Sequence, residues 1–306
     1  MTDEARSTPG GRREVVADEA AAAARVGDGM TVAVGGFINS GHPMAVVRQL
    51  VRQARRDLVV VGAASAGLEV DMLVAAGCVR RVIAPYVGAE GLAGIGPAFR
   101  HAVQHGEVEV WELDEALYYA GLRAAAQGLP FNPWRAGVGT SIPELNPDLR
   151  IFLDPIRAEP MIAVPAIELD VALLHAAIAD RHGNVQHGGT GYGDRAIHAA
   201  SKVTVVAVER LVSTEHIRRD PRATSIPDAD VVVRAPFGCH PFGSEGAYPP
   251  DTEHIAEYLA AARRLLRNDD RSELDAYLHH YLVEPADHAA YLERVGLRRL
   301  LALSEY

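Results

Sequence analysis

The sequence predicts an α/β protein built on a parallel, doubly wound sheet with helices on both faces. Three observations predict it. Short runs such as "MTVAVGG" and "DLVVVGAA" are apolar at nearly every position, as strands buried on both faces are. Segments of helical period follow them, joined by short connections, which is the β-α-β-α order of a parallel sheet. From Thr252 onward the chain reads as helix throughout.

The elements follow in order. "EVVADEAAAAARVGDG" is alanine-rich and closes on glycine, so it predicts a helix with a glycine C-cap. "MTVAVGG" is the first strand. "HPMAVVRQLVRQARR" is a helix with Pro43 near its first turn, where proline is tolerated. Strand "DLVVVGAA", helix "LEVDMLVAAG", strand "VRRVIAPYV", helix "GPAFRHAVQHG", strand "VEVWEL" and helix "DEALYYAGLRAAAQG" come next. Residues 129–168 are proline-rich with few periodic apolar positions, and predict a long structured excursion of the kind that is usually functional. Strands return in "MIAVPA", "DVALLHAAIA", "NVQH", "KVTVVAVE" and "ADVVVRA", with helix "DRAIHAASK" among them. In the C-terminal region, Ile255, Tyr258, Leu259, Ala262 and Leu266 recur at spacings of three and four, and Leu274, Tyr277, Leu278, Tyr281 and Leu282 repeat the pattern. The reading is one domain over residues 14–306 behind a disordered lead-in over 1–13.

Composition narrows the function. The chain has 306 residues, a net charge of −10 and no extended basic block, which argues against nucleic-acid binding and for a small-molecule protein. Its two cysteines, Cys78 and Cys239, have no CxxC spacing, which fits a reducing cytoplasm rather than a disulfide scaffold. No apolar run has membrane-spanning length, and the first residues lack the apolar core of a secretory signal.

Five stretches are candidate sites, each with a structural alternative. In "VGGFINSGHPM", Gly35, Gly36 and Phe37 follow a strand and precede a helix. Backbone N–H groups there hold an anion, or the glycines simply make a tight turn. In "WELDEAL", Asp114 and Glu115 stand where a strand gives way to a helix. They are a nucleophile or general base, or an N-cap and a first-turn acid. Arg135 and Gly137 in "PWRAGVGTS" form an anion fork or an ordinary surface loop. "APFGCHPFGSEGAYPPD" carries His240 and reads as a loop over substrate. In "ADRHGNVQHGGTGYG", His182 and His187 lack the helical i, i+4 spacing of metal histidines, so they read as turn and strand residues and no metal is expected. Asp180, Gly183 and Asn184 shape the turn. Gly188 and Gly189 begin a glycine run into a helix, a candidate cradle of backbone amides.

Taken in order, "VAVGGF", "HPMAVVRQL", "GLRAAAQGLPFNPWRAGVGTS", "ADRHGN", "KVTVVAVERLV", "APFGCHP" and "LDAYLHHYLVEPADHAAYLERVG" resemble the α-type subunit of family I CoA-transferases, in the glutaconate CoA-transferase-like branch. The resemblance covers nearly everything from about residue 14 to 300. It implies an open α/β/α sandwich of the NagB-RpiA-like kind, with a mostly parallel sheet and a helical C-terminus. It implies coenzyme A as a substrate rather than a tightly bound cofactor. It also implies a β-type partner, in a heterodimer or heterotetramer, that carries the nucleophilic glutamate. Glu90 and Glu245 lie in segments of the α pattern and are not assigned that role. The chain also resembles the α chain of a related pair that hydrolyses a β-diketone ring in a steroid-derived acyl-CoA. That resemblance implies Glu115 as the base, with Asp114 next and Arg135 as a partner for substrate charge. A third reading is a non-catalytic acyl-CoA-binding or regulatory subunit.

Overall fold

The computed structural model describes residues 12–304; most of the expected lead-in lies outside them. The chain runs through β1 (Val16–Ala17), α1 (Glu19–Ala23), β2 (Thr31–Val34), α2 (Met44–Arg52), β3 (Leu58–Val61), α3 (Leu68–Ala75) and β4 (Val79–Ile83). A small ribbon, β5 (Gly88–Ala89) and β6 (Ala93–Ile95), precedes α4 (Pro97–Gln104), β7 (Glu109–Val110) and α5 (Glu115–Ala126). Then come β8 (Phe131–Trp134), α6 (Ile142–Leu145), β9 (Arg150–Leu153) and β10 (Pro160–Pro165). The second half holds β11 (Leu169–Ala179), β12 (Val185–Gln186), α7 (Asp194–Ala199), β13 (Ser201–Leu211), α8 (Thr214–Arg218), β14 (Thr224–Ile226) and β15 (Val231–Arg234). It ends with α9 (Thr252–Asn268), α10 (Ser272–Leu278), α11 (His288–Val295) and α12 (Leu297–Leu303).

The main sheet has the order β1-β15-β13-β11-β2-β3-β4-β7, and every pair along it is parallel. Alternation splits its side chains between two cores. Val32, Val34, Val60, Leu173, Val205, Ala207 and Val233 pack on the layer of α2, α3, α4, α9 and α10. Ala33, Val61, Ala172, Leu174, Val206, Val208 and Val232 pack on α5, α7 and β10. The expected α/β/α sandwich with a helical C-terminus is therefore observed, and among the described residues no helix is long and apolar enough to cross a membrane.

Two expectations change. The first helix is shorter than its alanine run suggests. Val16 and Ala17 add an edge strand beside Val232 and Val233, and the helix starts only where Asp18 accepts the Ala21 N–H. Residues 129–168 are not a loop. They fold into a separate antiparallel sheet, β8-β10-β9, so "MIAVPA" is a strand of that sheet and not of the main one. The turn "DRHGN" is an antiparallel hairpin between β11 and β12, as expected. Its buried Asp180 accepts from the N–H groups of His182 (2.9 Å) and Asn184 (3.0 Å).

Asp71 joins three helices on the first face. Its Oδ1 accepts the Phe99 N–H at 2.6 Å in the first turn of α4, and its Oδ2 accepts the Tyr258 hydroxyl of α9 at 2.6 Å. Burial pushes its carboxyl up to about 6, against the pull of these hydrogen bonds. That is above the roughly 3.9 of an unfolded aspartate. Its contribution to stability is therefore complete below the unfolded value and is lost as the pH rises through the folded one. Between pH 4 and 7 the wild type is expected to lose about 2–3 kcal/mol relative to Asp71→Asn. Urea unfolding of both proteins across that range measures it, and parallel curves would contradict it.

Candidate active site

β2 pairs with β11 up to Val34 opposite Leu173, and β11 runs on past the end of β2 to Ala179, where β12 pairs with its Ile178 and Ala179. The step leaves His175, Ala176 and Ala177 as one wall of a cleft at the carboxyl edge of the sheet. The other walls are the turn after β2 (Gly36, Ser40, Gly41), the segment from His187 to Asp194, and Ser244 with Glu245 after β15. The cleft is half open to solvent, and its inner space is about 20 Å³, room for roughly one or two waters.

Two carboxylates hold these walls together. Asp194 opens α7 and is 2% exposed. Its Oδ1 accepts the Gly36 N–H at 3.2 Å, and its Oδ2 lies 3.1 Å from His187 Nε2. His187 Nδ1 lies 2.6 Å from Ser225 Oγ, and that hydroxyl also reaches the Val185 carbonyl at 3.2 Å. When Ser225 donates to Val185, both ring nitrogens of His187 must donate. When Ser225 turns to donate to Nδ1, one ring proton suffices. Glu245 accepts from the Thr190 N–H and from the Tyr192 hydroxyl. Burial, with the neighbouring Glu245, pushes that hydroxyl up to about 12, so it stays protonated as a donor.

The loops are backbone-strained where they meet. Ile38 (φ 50°) and Tyr192 (φ 38°) both occupy left-handed conformations, unusual above all for a β-branched residue. The surroundings fix Ile38. Its N–H donates to Ser65 O at 2.8 Å, and its carbonyl accepts from His42 Nε2 at 3.0 Å. The other His42 nitrogen is 2.8 Å from Gly35 O, so one buried ring clamps both ends of the turn. Phe37 stacks on Tyr192, with centroids 4.9 Å apart and planes 9° from parallel.

The candidates from sequence divide. Gly36, Gly188 and Gly189 line the cleft, and Gly35 and Phe37 stand directly behind it. A Cβ on Gly189 would collide with the Glu245 carboxylate, and one on Gly35 with Asp194. Asp114 is the N-cap of α5, accepting the Leu117 N–H at 2.8 Å. Glu115 is exposed in the first turn. One turn on, the Tyr119 hydroxyl abuts Gly193, and Tyr119 is pushed up by burial first and then by Glu115 and Asp194. Glu115 therefore stands near the glycine segment without lining the cleft.

Arg135, Gly137 and His240 are not brought to the cleft. Arg135 is an exposed residue paired with Glu159 at 2.6 Å, and Gly137 packs beside Ile162, because their stretch belongs to the small sheet. His240 is fully buried between the Tyr291 hydroxyl (2.7 Å) and Asp251 (3.0 Å), where it ties the C-terminal helices to the core. His187 moves the other way: it lies beyond β12 and lines the cleft rather than extending a strand. Sequence reasoning did not place Asp194, Tyr192 or Glu245 in the site. The one available signal was an acid directly after the glycine run, at the start of a helix.

An open parallel sheet whose ligand cleft lies where one strand stops short of its neighbour defines an α/β enzyme-like class. Residues 16–233 match the model of the Coenzyme A transferase family. One subunit of the glutaconate CoA-transferase of Acidaminococcus fermentans is 31% identical over 296 residues, covering 91% of this chain and 90% of that one. The crystal structure of glutaconate coenzyme A-transferase from the same organism superposes with a TM-score of 0.87 at 30% identity, over 95% of this chain and 96% of that chain. The cholesterol ring-cleaving hydrolase IpdA subunit of Mycobacterium tuberculosis is 33% identical, covering 91% of this chain and 97% of that one. An Archaeoglobus fulgidus protein of no assigned function is 38% identical over 91% of this chain, which spans 63% of that relative's length. The chain belongs to the coenzyme A transferase family, on the pattern of its α-type subunits.

Tyr192→Phe removes one of the two donors to Glu245. It is expected to cost about 1–2 kcal/mol of stability in urea unfolding. An unchanged midpoint and slope would show that this bond does not hold the loops.

Proposed function

We propose that the chain is the α half of a two-subunit CoA-transferase that moves CoA between carboxylic acids. One observation carries this reading. Both carboxylates of the cleft bridge this chain's own loops through each oxygen, which supports a binding wall whose nucleophile comes from a partner. In this reading a β-type partner supplies a glutamate. It attacks the acyl-CoA carbonyl and expels CoA thiolate, giving an acyl-glutamyl anhydride. The thiolate returns to the glutamyl carbonyl, releases the first carboxylate and leaves a glutamyl-CoA thioester. The acceptor carboxylate then repeats the sequence in reverse.

The part of this chain is to bind and to stabilise charge. The backbone N–H groups of Gly188 and Gly189 have no acceptor among the described residues and belong to the cleft lining, which suits a developing oxyanion. His187, its Nε2 facing Asp194, stands at the same wall. Coenzyme A enters as substrate, not as resident cofactor. Two free, buried cysteines support a reducing, cytoplasmic setting. Purified alone, the chain is expected to show no acyl-CoA turnover. With its partner it is expected to transfer CoA, and His187→Ala in the pair should lower kcat by about 10²-fold or more. Equal turnover by the isolated chain would overturn the two-subunit reading.

A second reading has its own support in the placement of Glu115. Exposed, one turn from Tyr119 and near the glycine segment, Glu115 is free to activate water against a ring β-diketone carbonyl. Attack there breaks the adjacent carbon–carbon bond, and the enolate released takes up a proton. The likeness to the IpdA hydrolase subunit supports it. Glu115→Gln in the assembled pair separates the readings: loss of hydrolysis by about 10²-fold or more supports the base role. Unchanged hydrolysis reduces Glu115 to a first-turn acid on a helix dipole.

A further inference from the structure

We propose that His101, His105 and Asp269 form a solvent-open site for a divalent transition metal, with zinc the expected occupant. His101 in the last turn of α4 and His105, its C-cap, lie four residues apart, and their rings stack with centroids 4.1 Å apart and planes 27° from parallel. The His105 Nδ1–H donates to the His101 carbonyl at 2.8 Å. That bond fixes the tautomer and leaves the Nε2 lone pair free, as the outer hydrogen bond of a metal histidine does. Asp269 arrives from the end of α9, where a left-handed C-cap (φ 55°) turns the chain. Its Oδ1 lies 2.9 Å from His101 Nε2, and its side chain is 78% exposed. One ligand atom from each of the three residues falls within 4.8 Å of the others. Zinc bonds of about 2.0–2.2 Å to nitrogen and oxygen place tetrahedral ligand atoms roughly 3.3–3.6 Å apart, and the exposed Asp269 carboxylate is the ligand that shifts to meet that spacing. Three protein ligands leave the fourth tetrahedral position to water.

Among the described residues, two other clusters bring three such groups together but are closed. At His240, Asp251 and His254, Asp251 already pairs with Arg299, and buried Arg48 adds a second positive charge nearby. At His175, Glu209 and Cys239, Glu209 accepts from Tyr248 (2.9 Å) and from the Phe237 N–H (2.7 Å), and burial holds the Cys239 thiol protonated. The α4–α9 cluster has a free nitrogen lone pair, an exposed carboxylate and access to solvent. The sequence expectation of no metal rested on His182 and His187. The helical i, i+4 pair lies instead in "HAVQH", and its acid stands 168 residues away from His101.

The test uses the full chain, stripped with a chelator and titrated with zinc chloride by calorimetry and with cobalt chloride by visible absorption. One equivalent should bind with a Kd on the order of micromolar or below and give the intense visible bands of low-symmetry cobalt. His105→Ala, at an exposed position, should weaken binding at least about tenfold. Asp269→Asn keeps a residue that tolerates the left-handed conformation and should also weaken it. Zinc should raise the melting temperature of the wild type more than that of either variant. Equal affinity in all three proteins would place the ion on other surface histidines and overturn the proposal. So would an absence of binding at millimolar zinc.

Discussion

The cleft depends on Asp194. Its carboxylate is buried at the start of α7, and it bonds the Gly36 N–H with one oxygen and faces His187 with the other. It therefore joins the turn after β2 to the glycine segment after β12, two pieces of chain that no regular hydrogen-bond ladder connects. Glycine at position 35 follows from the same contact, since any Cβ there would meet the Asp194 carboxylate. Without Asp194 a buried N–H and an imidazole would lose their acceptor, which costs more than the bond itself gives. Glu245 repeats the arrangement between the glycine segment and the loop after β15. The glycine walls are thin because carboxylates, not side-chain packing, set their spacing.

This division of labour explains what could be read from the sequence. Sheet strands were legible because two-sided burial makes them apolar at nearly every position, as in "LVVV" of β3. The C-terminal helices were legible from their three-and-four spacing, which the buried Ile255, Tyr258, Leu259 and Ala262 confirm. Edge strand β1 was not, because two residues carry no period and alanine propensity dominated the window. The small sheet was hidden by its prolines, Pro133 in β8 and Pro160 and Pro165 at the two ends of β10. In the cleft, the glycines were visible as local turn chemistry. The acids were not, because Asp194 meets Gly36 across 158 residues and Glu245 meets Tyr192 across 53. His240 drew attention for its chemistry but belongs to a buried tie with Tyr291 and Asp251.

The opposite side of the sheet is organised by different polar contacts. Asp71 ties α4 and α9 together from below, and the His101–Asp269 pair meets at the end of α9. Arg48 crosses the core to the His240 carbonyl and stacks 3.6 Å above Tyr291, which anchors α11. These contacts leave the carboxyl edge of the sheet free for ligand. These helix ties thus lie on one face, and the cleft lies at the step between β2 and β11 on the carboxyl edge of the sheet.

In the proposed reading, this chain lines the acyl-CoA site while the covalent chemistry occurs on another chain. Borohydride reduction of the assembled pair during turnover, followed by peptide mass spectrometry, tests it most directly. A reduced glutamyl thioester is expected on the partner and none on this chain. A modified Glu245 or Glu115 in this chain would contradict it.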